Sequence, residues 1–555
     1  MCIRDRSNTS PAQRETFSKR SVFILAAIGS AIGLGSIWRF PYVAYQNGGG
    51  AFLIPFLIAL LTAGIPMLFL DYAMGHRFRG GAPLTFRRFA KHTETLGWFQ
   101  VAICFVIACY YSVIIAWSCA YMVYSVKEAW GNNPAEFFNN DFLQSQSSLS
   151  VDFVPAVLIP LIIVWVITIG TLALGVQNGV GNMSKFFVPL LAALFLILVV
   201  RSLFLSGASD GLEVFFHANW NLLSDGKVWI AAYSQIFFSL SVGYGIMITY
   251  SSYLKRRTDL AGSSLVVAFA TTSFQVLAGI CVFAALGFLA HQQGTSVDSV
   301  AANGIGLAFI AFPSVISQMH GGPIFGVLFF LSLVLAGLTS SISLVEVVAA
   351  AFQDKFGLRR VPAVLITGIP MAIISIVLFA TTSGVNVLSV VDKFINNAIA
   401  LNALVTLILI SWVYRRVEEL HKHLISVSSL SVGKWWNACI SIITPVALVW
   451  MLFVEFSTII RDGYEDHPTW FLVAFGWGSM IFALVFAIIL ALCPWSDRIV
   501  HLDGPVFTPE LTTEYQHPYY REWLAKHHPE QSNAAPTTSA APVETIASER
   551  QEETE

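Results

Sequence analysis

The chain has 555 residues, of which 56% are hydrophobic and 12% charged, and its formal net charge at pH 7 is −2. A soluble protein of this length would carry about 25% charged residues, so most of this surface must face lipid. No basic excess points to nucleic acid, and we expect no nucleic-acid partner.

Twelve apolar stretches are long enough to cross a bilayer, which requires about 20 apolar residues. They predict an all-α integral membrane protein with spans near 22–45, 51–75, 97–126, 153–172, 183–205, 229–254, 262–290, 323–352, 361–382, 386–414, 435–459 and 469–493. Because the number of spans is even, both termini should lie on one side. The N-terminus lacks a short apolar core with a cleavage site, so we expect no signal peptide.

Lysine and arginine are concentrated in the loops that follow even-numbered spans. These loops carry Arg77, Arg79, Arg87, Arg88, Lys91, Lys185, Lys255, Arg256, Arg257, Lys355, Arg359, Arg360, Arg415, Arg416, Lys422 and Lys434. The opposite loops are acidic or nearly uncharged, with Glu128, Glu136, Asp141, Asp152, Asp298, Glu465 and Asp466. Since basic loops remain in the cytoplasm, we expect both termini to be cytoplasmic.

The cysteines and the C-terminal tail suggest no site. Six of the seven cysteines lie in apolar stretches and none forms a CxxC pair, so we expect neither disulfides nor a metal centre. The tail, 494–555, ends in a polar, acidic segment rich in proline and alanine that cannot bury enough apolar area to fold. We expect it to be cytoplasmic and largely disordered at its end.

The first and sixth spans are interrupted by small residues near their middles. These residues are Gly29, Ser30, Gly33, Gly35 and Ser36 in the first span and Ser239, Ser241, Gly243 and Gly245 in the sixth. Either segment alone is compatible with close helix packing. Together they occupy corresponding positions of two five-span halves, and because five is odd the second half must be inverted. Paired breaks in inverted repeats predict a binding site at the bilayer midplane.

Three strings resemble the neurotransmitter:sodium symporter family. GSAIGLGSIWRFPYVAYQNGGGAFLIPF and QIFFSLSVGYGIMITYSSYL resemble its first and sixth helices, and LAGLTSSIS resembles its sodium-binding segment. The resemblance runs from about Arg14 to the twelfth span. It implies an inverted 5+5 bundle with broken helices 1 and 6, two additional helices, and sodium-coupled uptake of amino acids or amines.

The implied domain order has five parts. A cytoplasmic N-terminal tail (1–20) precedes the first five-helix repeat (21–205) and the second, inverted repeat (206–415). Two additional transmembrane helices (416–493) and the cytoplasmic tail follow. The resemblance implies a bacterial sodium-dependent amino-acid transporter that lies in the plasma (inner) membrane.

A sodium ion prefers several oxygen ligands. Ala336, Thr339 and Ser340 are spaced i, i+3 and i+4, so they share one helix face. The resemblance implies a second sodium site made of these three residues together with the carbonyls of Gly29 and Ile32. The alternative is that both hydroxyls only bond to their own helix.

The family's first sodium site is matched less completely. Ala31 and Ser239 fit its pattern, whereas Ser36 and Thr271 stand where the family usually has asparagine. The ion is either bound with the help of water or absent, so one or two coupled sodium ions remain open.

The family's chloride region also departs from its pattern. Gln235 and Ser239 fit, but Gln275 replaces a serine or a carboxylate and Phe56 replaces a tyrosine. The sequence therefore leaves chloride coupling open.

The first helix indicates that the head group of the substrate includes a carboxylate. Amine-transporting relatives have aspartate where this chain has Gly33, which leaves room for a carboxylate at a half-helix N-terminus. Tyr111 matches the family's carboxylate-binding tyrosine. The resemblance implies that the rest of the pocket is lined by Ser30, Leu34, Gly35, Ile107, Phe238, Ser241, Tyr244, Ser341 and Leu344. This mostly apolar lining favours a neutral side chain, because a charged one would lack a partner.

Charged residues within the spans suggest two gates. Arg39 lies in apolar sequence, where an unpaired charge is costly and usually functional. The family pairs it with an acid of the tenth helix, here Asp392. Arg14, Asp354 and Tyr253 match the cytoplasmic gate.

Two further acids lie within spans. Asp71 matches an acidic position of the family, and Glu346 has no assigned role.

We therefore predict sodium-coupled symport of a neutral amino acid. A transport-silent amino-acid sensor and a transporter of another small zwitterion remain alternatives, whereas an intramembrane enzyme would need a catalytic motif that the sequence lacks. The sequence leaves the oligomeric state open.

Overall fold

A computed structural model describes residues 15–146, 148–300, 304–465, 467–497 and 502–507. Helices dominate this part of the chain. The described residues form no β-strand, and only two isolated bridges, Gly49 with Ala218 and Phe153 with Thr381, join extended segments. The predicted all-α fold is therefore confirmed.

In the part of the chain that the structure describes, the membrane-spanning segments comprise fourteen helical units. They are α1 (Arg20–Ala31), α2 (Leu34–Gln46), α3 (Gly50–Phe78), α4 (Lys91–Ser125), α5 (Pro155–Ala173), α6 (Val176–Leu203), α7 (Gly226–Ser239), α8 (Ile246–Ser251), α9 (Leu260–Gln293), α10 (Gly322–Phe356), α11 (Arg360–Phe379), α12 (Gly384–Val413), α13 (Trp435–Asp462) and α14 (Thr469–Leu492). Shorter helices in the loops include Ala82–Phe89, Ala208–Phe216, Phe312–Gln318 and Val417–Val427.

The number of spans depends on how the broken helices are counted. Among the described residues, ten helices are each long and apolar enough to cross a membrane, and the bent pair α1 and α2 makes an eleventh span. The pair α7 and α8 lies at the sixth predicted span, 229–254, but neither half is long enough to cross alone. Twelve crossings follow if this pair also forms one span.

Local sequence signals set several helix ends. The Asp225 carboxylate accepts a hydrogen bond from Lys227 N–H at 2.9 Å at the start of α7, and Asp259 does the same for Gly262 N–H at 3.0 Å before α9. Such caps satisfy amides that have no partner within the helix. Gly294 ends α9 in the left-handed conformation (φ 65°), which glycine adopts without a steric cost.

Burial separates inner from outer helices. In the most apolar stretch of α4, 94% of the residues are buried, compared with 22% in α14. The outer helices instead expose large aliphatic side chains, such as Val166 on α5 and Ile481 on α14. This distribution fits a protein whose outer surface contacts lipid. The inner helices α4 and α10 pack against each other.

The loops after α3, α8 and α12 meet on one face of the bundle. Arg77 at the end of α3 donates to Glu419 in the loop after α12 at 2.6 Å, and His76 Nε2 lies 3.1 Å from the Lys255 carbonyl. Burial alone would raise the pKa of Glu419, but hydrogen bonds and ion pairs with Arg416 and Arg77 hold it below its ordinary value. Because lysine and arginine concentrate in these loops, we call this the basic face.

Candidate functional site

The first span breaks at Ile32 and Gly33, where α1 and α2 meet at an angle of 54°. Ile32 N–H donates to the Ile28 carbonyl at 2.7 Å and closes the last turn of α1. The Gly33 N–H then bonds to Ala31 rather than to the carbonyl four residues earlier. The Gly29 carbonyl is therefore available to a neighbouring helix.

The sixth span breaks between α7 and α8. Ser241, Gly243 and Gly245 all have positive φ angles, of 53°, 86° and 88°. Two side chains form hydrogen bonds with the backbone of Gly243. Its N–H donates to the Asp71 carboxylate at 3.4 Å, and its carbonyl accepts from the Asn402 amide at 3.0 Å. Asp71 and Asn402 thus supply the hydrogen bonds that the interrupted helix cannot make itself.

An oxygen cluster joins the first break to α10. The Thr339 hydroxyl lies 2.8 Å from the Gly29 carbonyl and 3.0 Å from the Ala336 carbonyl. The Ser340 hydroxyl lies 3.3 Å from the Gly29 carbonyl and 3.1 Å from that of Ser30. Four of the five residues predicted for the second sodium site thus meet here, and the fifth, Ile32, lies in the break itself.

These distances argue against the alternative that the Thr339 and Ser340 hydroxyls bond only to their own helix. Thr339 also bonds to a carbonyl of its own helix, that of Leu335 at 3.1 Å, but both hydroxyls additionally reach across to the first span. They therefore do more than satisfy their own helix. Carbonyl and hydroxyl oxygens gathered from two helices are a suitable ligand set for sodium.

The residues predicted for the first sodium site are less closely connected. Ala31 is the last residue of α1, and Ser36 lies in the first turn of α2 with its N–H bonded to Gly33. The Ser239 hydroxyl donates at 3.3 Å to Ile236 of its own helix. The Thr271 hydroxyl is buried without a hydrogen-bond partner among the described residues. An ion or a water molecule would satisfy it.

Two glutamines face each other in the predicted chloride region. Gln235 Nε2 donates to Gln275 Oε1 at 2.9 Å, and Gln275 Nε2 donates to the Thr271 carbonyl at 3.4 Å. Phe56 packs against Phe40, with ring centroids 4.9 Å apart. A neutral amide pair thus occupies this region, and Gln235 directs its N–H towards Gln275.

The proposed carboxylate end of the substrate pocket is built from Tyr111 and α2. The Leu34 N–H, at the N-terminus of α2, donates to the Tyr111 hydroxyl at 2.9 Å. A side-chain carbon at Gly33 would lie 2.8 Å from that hydroxyl and 3.2 Å from Ser340 Oγ. Only glycine therefore leaves this position open between the two hydroxyls.

The remaining predicted pocket residues are buried, except Phe238, which is half-buried. Phe238 packs so closely on Gly35 that a side-chain carbon there would lie 2.1 Å from the ring. The Ser241 hydroxyl donates to the Ser30 carbonyl at 3.2 Å and so connects the sixth span to the first. Ser341 lies 3.4 Å from the Ser112 hydroxyl, and buried apolar or aromatic side chains complete the set at Ile107, Tyr244 and Leu344.

The predicted outer gate is not closed by a direct ion pair. The Arg39 guanidinium carbon lies 4.6 Å from the centroid of the Phe238 ring. Asp392 instead accepts hydrogen bonds from the Tyr110 hydroxyl at 2.7 Å and from Asn396 at 3.0 Å. Within the described part of the chain, no hydrogen bond or ion pair joins Arg39 to Asp392. The expectation of a direct pair is therefore wrong for this conformation.

Buried polar contacts surround the residues predicted for the cytoplasmic gate. The Tyr253 hydroxyl donates to Glu346 at 2.7 Å, and Arg360 donates to the same carboxylate at 2.8 Å. Asp354 accepts a hydrogen bond from Gly81 N–H at 2.6 Å. Arg14, the other predicted member of this gate, lies outside the described residues.

Sequence reasoning missed several of these partners. Glu346 had no assigned role, although a fully buried acid in a membrane span demands a cation. In the sequence Arg360 is one of several basic loop residues, yet it lies fourteen positions from Glu346 and pairs with it. Asn402 and Tyr110 carried no signal, because their partners are distant in the sequence.

Three comparisons with known proteins agree with one another. The family described as "Sodium:neurotransmitter symporter family" matches residues 14–134 and 130–497. An uncharacterized sodium-dependent transporter of Methanocaldococcus jannaschii is 36% identical over 482 residues, which cover 86% of this chain and 96% of that protein. The human sodium- and chloride-dependent neutral and basic amino acid transporter B(0+) is 30% identical, covering 90% of this chain and 88% of its own length.

A solved structure is also similar. The crystal structure of MhsT in complex with L-phenylalanine matches with a TM-score of 0.68 and 32% sequence identity. The match covers 80% of this chain and 100% of that one.

Proposed function

The chain belongs to the sodium:neurotransmitter symporter family, and from that premise we propose that it carries a neutral amino acid into the cell together with sodium. Sodium coupling follows from the family. The choice of a neutral amino acid, its binding between the two broken helices and transport by alternating access are our proposals.

The observation that carries the proposal is the arrangement around Tyr111. Its hydroxyl meets the Leu34 N–H at the start of α2 and lies next to Ser340, whose hydroxyl belongs to the oxygen cluster. A helix N-terminus and a hydroxyl favour a carboxylate. Gly33 offers no acid for a bare amine, so a substrate bearing both groups fits better than a monoamine.

The lining of the pocket supports an uncharged substrate side chain. Ile107, Phe238, Tyr244 and Leu344 are apolar or aromatic, and Ser341 adds only a hydroxyl. A charged side chain placed among them would lose its hydration without gaining a counter-ion. The similarity to MhsT, whose structure contains L-phenylalanine, agrees with this reading.

We further propose the orientation of the protein. The basic face carries the lysine and arginine clusters, and such clusters remain on the cytoplasmic side of a plasma membrane. We therefore assign the basic face and both termini to the cytoplasm of a bacterial-type cell, with the outer gate residues Arg39 and Asp392 towards the exterior.

Uptake into proteoliposomes tests the function directly. Purified protein is reconstituted, and a panel of radiolabelled amino acids is offered with and without an inward sodium gradient. We expect at least one neutral amino acid to accumulate only with the gradient and to leave when a sodium ionophore dissipates it. Accumulation of a charged amino acid or of a bare amine alone would contradict the proposed specificity.

The same experiment separates the alternatives. A transport-silent sensor would bind an amino acid, measured by equilibrium dialysis in detergent, without accumulating it in proteoliposomes. A carrier of another zwitterion would accumulate such a compound, for example a betaine, while ignoring the amino-acid panel.

A further inference from the structure

A groove of about 450 Å³ opens on the outer surface between α12 and α13. Both helices contribute to its walls, which include Leu404, Ile408, Ile442, Val446 and Phe453. Cavities that bind small ligands have volumes of ~300–1,000 Å³, so this groove has the size of a binding site. Because it lies between two membrane-spanning helices and is lined by apolar side chains, its occupant must be apolar there.

Trp412, near the end of α12, borders one end of the groove. Its indole N–H donates to the Ser441 carbonyl of α13 at 2.9 Å, so the ring bridges the two helices. Each helix contains a π-helical turn at this level, Leu409–Val413 in α12 and Cys439–Ile443 in α13, and the two turns contact each other. A π turn moves the side chains that follow it out of α-helical register. This end of the groove therefore has a defined shape that a specific side-chain bond maintains.

From Trp412 the groove extends to Trp450 and Phe453. The Trp450 ring packs on Gly226, the first residue of α7, where a side-chain carbon would lie 2.4 Å from it. Between Ser441 and Phe453 helix α13 rises about 18 Å, at ~1.5 Å per residue. The hydrocarbon core of a bilayer is about 30 Å thick. The groove is therefore long enough for a lipid acyl chain but shorter than a membrane-spanning helix of a second copy.

Two exposed basic residues lie at the Trp412 end, in the loop that follows α12 on the basic face. Arg415 comes three residues after Trp412, and Lys434 immediately precedes α13. Lys434 lies seven positions before Ser441, which places both residues on one face of α13. Within the described part of the chain, neither basic side chain forms a hydrogen bond or an ion pair. Both are therefore available to an anion at this end of the groove.

The whole connection between α12 and α13 carries a net positive charge. Residues 414–434 contain two acidic and four basic residues, which are Glu418, Glu419, Arg415, Arg416, Lys422 and Lys434. Glu419 accepts a hydrogen bond from Arg416, and Glu418 accepts one from Asn437 at 3.2 Å. The surplus of basic residues favours an anionic head group over an uncharged one. The groove itself cannot make this choice, because all lipid tails are as apolar as its lining.

We propose that this groove binds an anionic phospholipid, with one acyl chain lying along α13 and the phosphate between Arg415 and Lys434. In the orientation proposed above, the lipid belongs to the cytoplasmic leaflet. Within a membrane the chain exchanges one apolar environment for another, so most of the selectivity comes from charge. An uncharged lipid with the same chains would leave both cations without a counter-ion. The site is independent of the proposed transport activity, and binding alone tests it.

Native mass spectrometry counts the bound lipids. Purified, delipidated protein in detergent is titrated with dioleoylphosphatidylglycerol or with dioleoylphosphatidylcholine, which has the same chains and a zwitterionic head group. We expect the first phosphatidylglycerol to bind with an apparent Kd about tenfold lower than that of phosphatidylcholine, because two basic residues attract the anionic head group. Equal affinities for the two lipids would overturn the proposal.

Two double variants test the basic residues. Arg415→Gln with Lys434→Gln should raise the Kd for phosphatidylglycerol roughly twentyfold, since each basic residue near an anionic lipid contributes a factor of about five. Arg359→Gln with Lys185→Gln is the matched control, because it removes the same charge from two exposed residues outside the groove. Screening limits the reach of such charges to about 10 Å, so the Kd of the control should stay within about twofold. Equal shifts in both double variants would show diffuse attraction and overturn the site.

Filling the groove tests the position of the acyl chain. Val446→Trp places a ring in the groove, whereas Val485→Trp adds the same ring to the exposed outer face of α14. Only the first variant should lose the bound phosphatidylglycerol, and equal binding by both would exclude the groove as the site. The same spectra report oligomers. A dimer that forms without lipid and that Val446→Trp abolishes would assign the groove to a second copy and would likewise overturn the proposal.

Discussion

Replacing Thr339 by valine removes one oxygen from the proposed second sodium site and leaves a side chain of nearly the same shape. That oxygen lies 2.8 Å from the Gly29 carbonyl and 3.0 Å from the Ala336 carbonyl, so it belongs to the cluster that would surround the ion. The change removes a ligand without opening a cavity at the contact between α1 and α10.

The expected magnitude follows from the charge of the ion. A polar contact with a charged group contributes about 1.5 to 3 kcal/mol. Thr339→Val should therefore raise the sodium concentration that gives half-maximal uptake by roughly ten- to hundredfold. Because sodium and substrate binding are linked, the apparent substrate affinity at a fixed low sodium concentration should fall as well.

Thr367 provides the matched control. It is 3% exposed on α11, and its hydroxyl donates at 2.8 Å to the Ala363 carbonyl of its own helix. Thr367→Val thus removes a buried threonine hydroxyl outside the oxygen cluster. Sodium titration of uptake into proteoliposomes compares the two variants. If both shift the titration equally, or if neither does, Thr339 is not a sodium ligand.

Three further predictions concern the outer gate, the number of ions and pH. Arg39→Ala should lower maximal uptake more than equilibrium substrate binding, because a gate stabilises the closed state that follows binding; an equal loss of both would make Arg39 a pocket residue. The substrate affinity should vary with the sodium concentration nearer to its first power than to its second. The double variant Ser36→Asn, Thr271→Asn should steepen this dependence. A second-power dependence in the unmodified protein would contradict the prediction. Burial, together with the charges of His76 and Arg77, holds the pKa of His423 well below its ordinary value of about 6.5. The unfolded chain then binds more protons, so stability is full above about pH 6.5 and declines as the pH falls below it. Thermal unfolding in detergent between pH 7.5 and 5 should show this decline, and His423→Gln should reduce it; an unchanged slope in the variant would contradict the assignment.

The helical architecture was predictable because a membrane imposes strong constraints on sequence. A bilayer forces long, uninterrupted apolar stretches and internal backbone hydrogen bonding, so hydropathy alone located the helices. The glycines of the first and sixth spans also marked both breaks. The spacing of Thr339 and Ser340 predicted a shared helix face, and the structure adds the contact with Gly29 on α1.

Contacts between distant parts of the chain were not predictable in the same way. Nothing near Gly243 in the sequence indicates that Asp71 accepts from its N–H or that Asn402 donates to its carbonyl. The direct Arg39–Asp392 pair was expected from family resemblance, yet Tyr110 donates to that carboxylate instead. Side-chain partners of this kind depend on which helices pack together and on the conformation adopted.

The C-terminal tail from residue 494 is not uniform in composition. Its far end is polar and rich in proline and alanine, so the sequence suggests no site at that end. Trp495 and Phe507 lie before that end, however, and large aromatic residues are unusual in segments that remain unfolded. Their presence was a usable signal that this part of the tail packs on the bundle.

The proposed second sodium site joins two helices that are distant in the sequence. Thr339 and Ser340 on α10 reach Gly29 on α1, so an ion bound there would hold these two helices together at the site. A ligand shifts a conformational equilibrium only through its different affinity for the two states. If α1 moves away from α10 when the cytoplasmic side opens, a bound sodium ion would therefore disfavour that opening.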